Sequence, residues 1–209
     1  IRGLANVDVT PEVAIRVATA YGTALKKGAT VTISRDTSRV ARALKRALIG
    51  GVNLAGVNVE DVELATVPLT RFQVRNGKAR GGITVRLAPG DPDAVEIRFF
   101  DADGRDIDES TQRKIERLLY REDYRRAFAA DIGDIEYPPR SLEFYTSALM
   151  DTVDQERLLE RAFKVVLDYS FGATFNITPK LSIGASYVGV EGDSIEDLSD
   201  DAIVGTLKL

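Results

Sequence analysis

Residues 30–64, TVTISRDTSRVARALKRALIGGVNLAGVNVEDVEL, decide the fold. Thr30 to Ile33 is a β-branched run and reads as a strand. It leads into the polar turn Ser34-Arg35-Asp36-Thr37-Ser38-Arg39. Val40, Ala43, Leu44, Ala47, Leu48 and Leu54 then recur at helical spacing and are expected on one buried face. Gly56 closes that helix, and Val57 to Leu64 reads as the next strand. A strand feeding a helix of about 15 residues and returning to a strand is the rhythm of a parallel α/β sheet.

Working outward, Thr10-Pro11-Glu12 is a helix start, with Thr as N-cap and Pro at the first helical position. Val13, Val17, Ala20, Tyr21 and Ala24 carry the helical spacing onward, and Gly28 is placed as its closing C′ glycine. Downstream, Pro68 to Arg75 reads as a short helix or turn, and Gly82 to Leu87 as a strand. Pro89-Gly90-Asp91-Pro92-Asp93 is expected to be a loop, because two Pro and a Gly leave little else. Val95 to Asp101 alternates as a strand, and Asp103-Gly104 turns it into Arg105–Ile107. That hairpin is expected to give the sheet an antiparallel edge. Glu109 to Phe128 predicts one long amphipathic helix with Ile115, Leu118, Leu119 and Tyr124 as its apolar stripe.

Asp134 to Arg140, with Pro138-Pro139, reads as a domain boundary. The division expected is 1–135 and 140–209. Leu142 to Met150 and Gln155 to Arg161 read as helix, Phe163 to Tyr169 as a buried strand, Ser186 to Glu191 as a strand and Ile195 to Leu207 as helix. The fold class expected is a three-layer αβα sandwich with a mixed sheet, followed by a second, incomplete αβα domain.

Composition narrows the chemistry. The 209 residues contain no Cys and no His. Disulfide frameworks, thiolate zinc sites, cysteine nucleophiles and imidazole acid–base catalysis are therefore excluded for this chain. With 28 basic and 32 acidic residues the net charge is −4, which does not suit nucleic acid or an anionic membrane as the main partner. No apolar run approaches the roughly 18 residues needed to span a bilayer, and a cytoplasmic location is expected. Ile1 in place of a start Met, and an apolar end at Leu209, are expected of an internal piece of a longer chain.

Four segments resemble, in order, the α-D-phosphohexomutase family of phosphomannomutases and phosphoglucomutases. Ile1-Arg2-Gly3 and Thr10-Pro11-Glu12 resemble that family's opening IRG…LTPE. Ser34-Arg35-Asp36-Thr37 resembles its GRDT turn. Residues 81–104, GGITVRLAPGDPDAVEIRFFDADG, are similar to GGIMITASHNPxxxNGIKFFDADG of active members. Residues 163–173, FKVVLDYSFGA, resemble the first strand and turn of the family's second domain.

The ungapped resemblance puts the family's phosphoserine at Ala88, its histidine at Pro89 and its asparagine at Gly90. Alanine has no oxygen to carry a phosphoryl group, so no catalytic nucleophile is expected there. Thr84 lies four strand positions earlier, roughly 13 Å away at about 3.3 Å per residue. The family uses Mg, held by a DGDxDR loop. Only Glu191-Gly192-Asp193-Ser194-Ile195-Glu196 echoes it, so no cofactor is expected in this chain.

The resemblance implies a phosphate-binding role for Arg2 and Arg98, at the positions of the IRG arginine and the NGIK lysine. Arg35, Arg39 and Arg86 sit on the same loops and join them as candidates. Gly82 to Pro89 is also similar to a mutase-like region that follows a sugar nucleotidyltransferase of the mannose-1-phosphate guanylyltransferase type. The expectation is a degenerate phosphohexomutase-like module, with hexose phosphate as ligand and a fused or associated sugar nucleotidyltransferase as partner. It could also assemble as a homo-oligomer. The alternative is a fragment of an active phosphomannomutase/phosphoglucomutase, performing intramolecular phosphoryl transfer through Ser38 or Thr84 instead.

Overall fold

The βαβ unit expected at residues 30–64 lies at the heart of a mixed sheet in the computed structural model of the chain. The structure describes residues 1–154, with 156, 157 and 160. In chain order the elements are β1 (Arg2–Leu4), α1 (Pro11–Ala24), β2 (Thr30–Arg35), α2 (Arg39–Leu54), β3 (Asn58–Leu64), α3 (Val67–Asn76), β4 (Gly82–Ala88), β5 (Asp91–Phe100), α4 (Glu109–Arg121), β6 (Ile135–Glu136) and α5 (Ser141–Met150). Residues Ile1–Tyr145 cluster as one unit and Thr146–Leu209 as another. The elements expected beyond residue 160 lie outside the described residues.

The strand order is β1-β5-β4-β2-β3-β6. β4, β2, β3 and β6 run parallel, while β5 pairs antiparallel with both β4 and β1. α1 and α2 pack on each other and cover one face, with α4 against α1. α3 covers the other: Phe99 stacks against Tyr21 of α1 at 5.0 Å, while the next residue, Phe100, lies under the Arg71 guanidinium of α3 at 4.8 Å. This alternation follows from the period of two along a strand. The three layers and the mixed sheet are those expected.

Local chemistry sets the helix starts. Thr10, Ser38, Thr66 and Asp108 are the N-caps of α1 to α4, and each side chain accepts a backbone N–H three residues on. α2 ends in a paired motif: Gly56 N–H donates to Asn53 O at 2.8 Å and Val57 N–H to Val52 O at 3.3 Å. Gly51 lets α2 approach α1, since a Cβ there would lie 2.5 Å from Ile15 O. Tyr21 reaches across the core, its hydroxyl donating to Phe100 O at 2.8 Å. Burial pushes that phenol well above its ordinary value.

Several expectations are corrected. α1 stops at Ala24; Gly28 instead turns the loop, with φ +74°. The buried face of α2 is Ala41, Leu44, Lys45, Leu48, Ile49 and Val52, whereas Ala43 and Leu54 are exposed. Pro89–Asp93 is not a five-residue loop, because β5 already begins at Asp91. The antiparallel strand is β5, which lies inside the sheet between β1 and β4 and not at its edge, and Arg105–Ile107 forms only a bridge, Phe100 with Asp106. α4 ends at Arg121, seven residues early: Glu122 turns left-handed at φ +52°, and Asp123 N–H caps Leu118 O at 3.2 Å. Ile135–Glu136 of the expected linker is a strand, pairing with Val59 and Glu60.

The early end of α4 has a cause. It frees Arg125 to close the lower ends of α1 and α2, where helix carbonyls lack partners. Its guanidinium donates to Ala55 O at 2.6 Å, Gly22 O at 2.8 Å and Leu25 O at 2.9 Å. Arg125→Ala is expected to destabilise the unit by about 2 kcal/mol, the range for hydrogen bonds from a charged group. Arg125→Lys should recover only part of the loss. Urea denaturation followed by circular dichroism checks both.

Candidate functional site

The C-terminal end of β4 is where the expected phosphoryl-carrying position falls. β4 and β5 stay paired to their last residues, Ala88 opposite Asp91. Only Pro89 and Gly90 connect them, and Gly90 has φ +76°. Pro followed by a positive-φ Gly is the pattern of a type II turn. The register shifts between Leu87, which faces Val95, and Ala88. Pro92 falls in that irregular step, where its missing N–H leaves no ladder bond unmade. Ala88 is buried. The segment is thus a closed hairpin ending in a buried methyl group.

The five candidate arginines do not converge. Arg2, Arg86 and Arg98 share one face of the sheet, gathered around Glu96. Arg86 grips that carboxylate with Nε at 2.9 Å and Nη2 at 2.7 Å. Arg98 Nε lies 3.3 Å from it. Arg2 faces Glu96 in register and pairs at long range, 3.8 Å, with Asp91. Burial alone would raise the Glu96 carboxyl, but the Arg86 hydrogen bonds and the charges of Arg86 and Arg98 outweigh it and hold the group below its ordinary value. Three part-exposed guanidinium groups against two carboxylates, Glu96 and Asp91, leave one positive charge in surplus, which suits an added anion.

Arg35 and Arg39 stand apart, at the end of β2 and the start of α2. Arg39 is exposed. Arg35 is mostly buried: Nη1 donates to Asp36 O at 2.8 Å, Nη2 lies 3.6 Å from Glu63, and Nε has no partner. Arg35 pairs with Val85, whose side chain belongs to the core under α2, opposite in direction to Arg86.

The two alternative acceptor hydroxyls are both committed. Ser38 Oγ donates to Asp36 Oδ1 at 2.7 Å and accepts Ala41 N–H at 3.2 Å as the cap of α2. Thr84 is buried under α3 in a chain of hydroxyls: Thr70 Oγ1 to Ser34 Oγ at 2.7 Å and Ser34 Oγ to Thr84 Oγ1 at 2.9 Å.

Two features escaped the sequence reading. Asp36 is the junction of the site: besides Ser38, its Oδ2 accepts Leu87 N–H at 2.8 Å. The second is a buried ion pair. Lys45, 4% exposed, donates to both Asp61 oxygens at 2.7 and 2.5 Å and to Glu63 Oε1 at 3.1 Å. Lys45 lies on the buried face of α2 and is not singled out by the sequence; the acidic β3 sequence Glu60-Asp61-Val62-Glu63 is the signal that could have found it. Burial tends to raise Glu63, but Lys45 and Arg35 reverse that and lower it.

Among the described residues, no group of three or more acidic side chains is gathered to hold a metal ion. Asp61 is already neutralised by Lys45. The described residues therefore do not fit the family's Mg. Glu191 to Glu196 lies outside them.

Three layers built on a mixed six-stranded sheet, with α1 and α2 on one face and α3 on the other, define an αβα domain. Residues 1–126 match the family described as phosphoglucomutase/phosphomannomutase, alpha/beta/alpha domain I. The chain belongs to that family. It is 30% identical over 197 residues to a phosphoglucosamine mutase of Natranaerobius thermophilus, covering 93% of this chain and 44% of that protein. It is 31% identical over 196 residues to a phosphoglucomutase/phosphomannomutase of Thermococcus kodakarensis, covering 91% and 43%. The chain thus spans less than half the length of these relatives. Among solved structures, a phosphoglucomutase/phosphomannomutase family protein of Burkholderia thailandensis superposes with TM-score 0.64 at 20% identity, over 73% of this chain and 34% of that one. No helix of the described residues is long and apolar enough to cross a membrane.

Two measurements check the electrostatics. Lys45→Met should cost about 3–5 kcal/mol by stranding Asp61, and Lys45→Met with Asp61→Leu should recover most of it. Urea denaturation gives both values. Glu96 and Glu63 have lowered folded-state values, so their stabilisation is present above their ordinary value of 4.5 and is lost as pH falls through the lower folded values. Stability should decline in acid, and Glu96→Gln should make that decline shallower.

Proposed function

We propose that this chain is a degenerate phosphohexomutase-type module that does not carry the phosphoryl group and serves as a sugar-phosphate-binding, regulatory or structural part of a larger protein. One observation carries the reading: Ala88 closes a two-residue hairpin at the position where the family resemblance places the phosphoserine. The committed hydroxyls of Ser38 and Thr84 support it, since neither is free to accept a phosphoryl group. The Arg2, Arg86 and Arg98 face supports retained anion binding, because its charge exceeds by one what Glu96 and Asp91 neutralise. The ligand proposed is a hexose phosphate, and the parent is proposed to be a sugar-nucleotide protein with a fused or associated mannose-1-phosphate guanylyltransferase-type partner. That partner rests on the likeness of residues 82–89.

The second reading, an active mutase fragment, is favoured by the names of the relatives, which are mutases matched over more than nine-tenths of this chain. Calorimetric titration with mannose 1-phosphate and glucose 1,6-bisphosphate, alongside a coupled mutase assay, separates the two. Micromolar binding without turnover is expected, at least tenfold weaker in Arg98→Ala and in Arg2→Ala. Turnover by the chain or its intact parent would establish the second reading instead.

A further inference from the structure

A groove of about 490 Å³ runs along α2 toward the β3 and β6 edge, on the side away from Arg2, Arg86 and Arg98. That volume falls within the roughly 300–1,000 Å³ of small-molecule sites. Its charged lining is Arg35, Arg42, Lys45 and Arg46 against Asp61 and Glu63, a surplus of two positive charges. The inner four neutralise one another in the Lys45 and Arg35 network. The surplus is therefore Arg42 and Arg46, which are exposed one helical turn apart on the same side of α2. No carboxylate among the described residues pairs with either, and the nearest acids are already held by Lys45 and Arg35. Arginine forks at this spacing suit the oxygens of one phosphate.

The rest of the lining is different in kind. Ile49 and Ile135 give it apolar wall, and the Tyr137 ring, 63% exposed, stands at it without a ring partner among the described residues. A flat ring of a ligand can stack on such a phenol. Gly50 is a separate observation. It lies inside α2, where glycine weakens a helix relative to alanine. A Cβ there would meet nothing within 4 Å, so packing within the chain gives no reason for its lack of a side chain. The open wall it leaves faces the groove.

We infer that this groove is a second anion site, one that takes a phosphate ester carrying a ring, with Arg42 and Arg46 on the phosphate and Tyr137 against the ring. It is independent of the face around Glu96. Nucleoside phosphates and sugar phosphates share this chemistry, and titration distinguishes them.

The experiment is calorimetric titration of the 209-residue chain with adenosine 5′-monophosphate, mannose 1-phosphate, adenosine and inorganic phosphate at low and high salt. One of the two esters should bind in the micromolar range, at least tenfold tighter than adenosine or inorganic phosphate, and weaken with salt. Arg42→Ala with Arg46→Ala should weaken it at least tenfold. Gly50→Leu should fill the groove and do the same, while an unchanged thermal melt reports an intact fold. The titrations are run in the Arg2→Ala, Arg98→Ala double variant, which removes the face proposed above, so that binding there reports the groove alone. Binding of neither ester in that background overturns the inference, as does ester binding that survives both α2 variants.

Discussion

The Asp36 carboxylate is the tie on which the C-terminal edge of the sheet depends. β2 ends at Arg35, and Asp36 continues its ladder by one rung, donating its N–H to Val85 O at 3.2 Å. Its side chain then takes the Leu87 N–H, which lies beyond the reach of the β2 backbone. The same carboxylate holds Ser38, and Ser38 caps α2. One acidic group thus fixes where α2 starts and where β4 stops. Because Leu87 is held, the register break to Ala88 falls at that point, and Pro89-Gly90 closes the hairpin immediately after it.

That geometry separates anion binding from phosphoryl transfer. A nucleophile needs an oxygen that is exposed, activated and free to swing toward substrate. The hairpin offers a buried methyl at Ala88, and the neighbouring hydroxyls are spent on a helix cap and on a buried chain under α3. Binding needs only surplus positive charge on a fixed frame. The rigid β1-β5-β4 pairing supplies that by setting Arg2, Arg86 and Arg98 about Glu96 at adjacent register positions. On the proposed reading, the domain keeps the second property and lacks the first.

The sequence made the frame legible through short-range signals. The cap at Thr10, the Gly56 stop and the apolar period of two or of three to four all act within one turn or one strand. What it hid depends on groups far apart in the chain. Lys45 does not stand out in the sequence and gains its buried place on α2 only because β3 brings Asp61 against it. Asp36 and Leu87 are 51 positions apart, and Arg125 meets Gly22 at a separation of 103. β6, at two residues, is too short to show a period, and it pairs only because β3 has a free edge. Arg2 and Arg98 are candidates through the family resemblance and Arg35, Arg39 and Arg86 through their loops; the face each occupies is set by register and helix placement, which divides them three and two.

The central claim is that no residue of this chain accepts the phosphoryl group. Intact mass spectrometry of the chain after incubation with glucose 1,6-bisphosphate tests it most directly. The account predicts the unmodified mass, with and without added Mg. A stoichiometric phosphoryl adduct on any residue would contradict it.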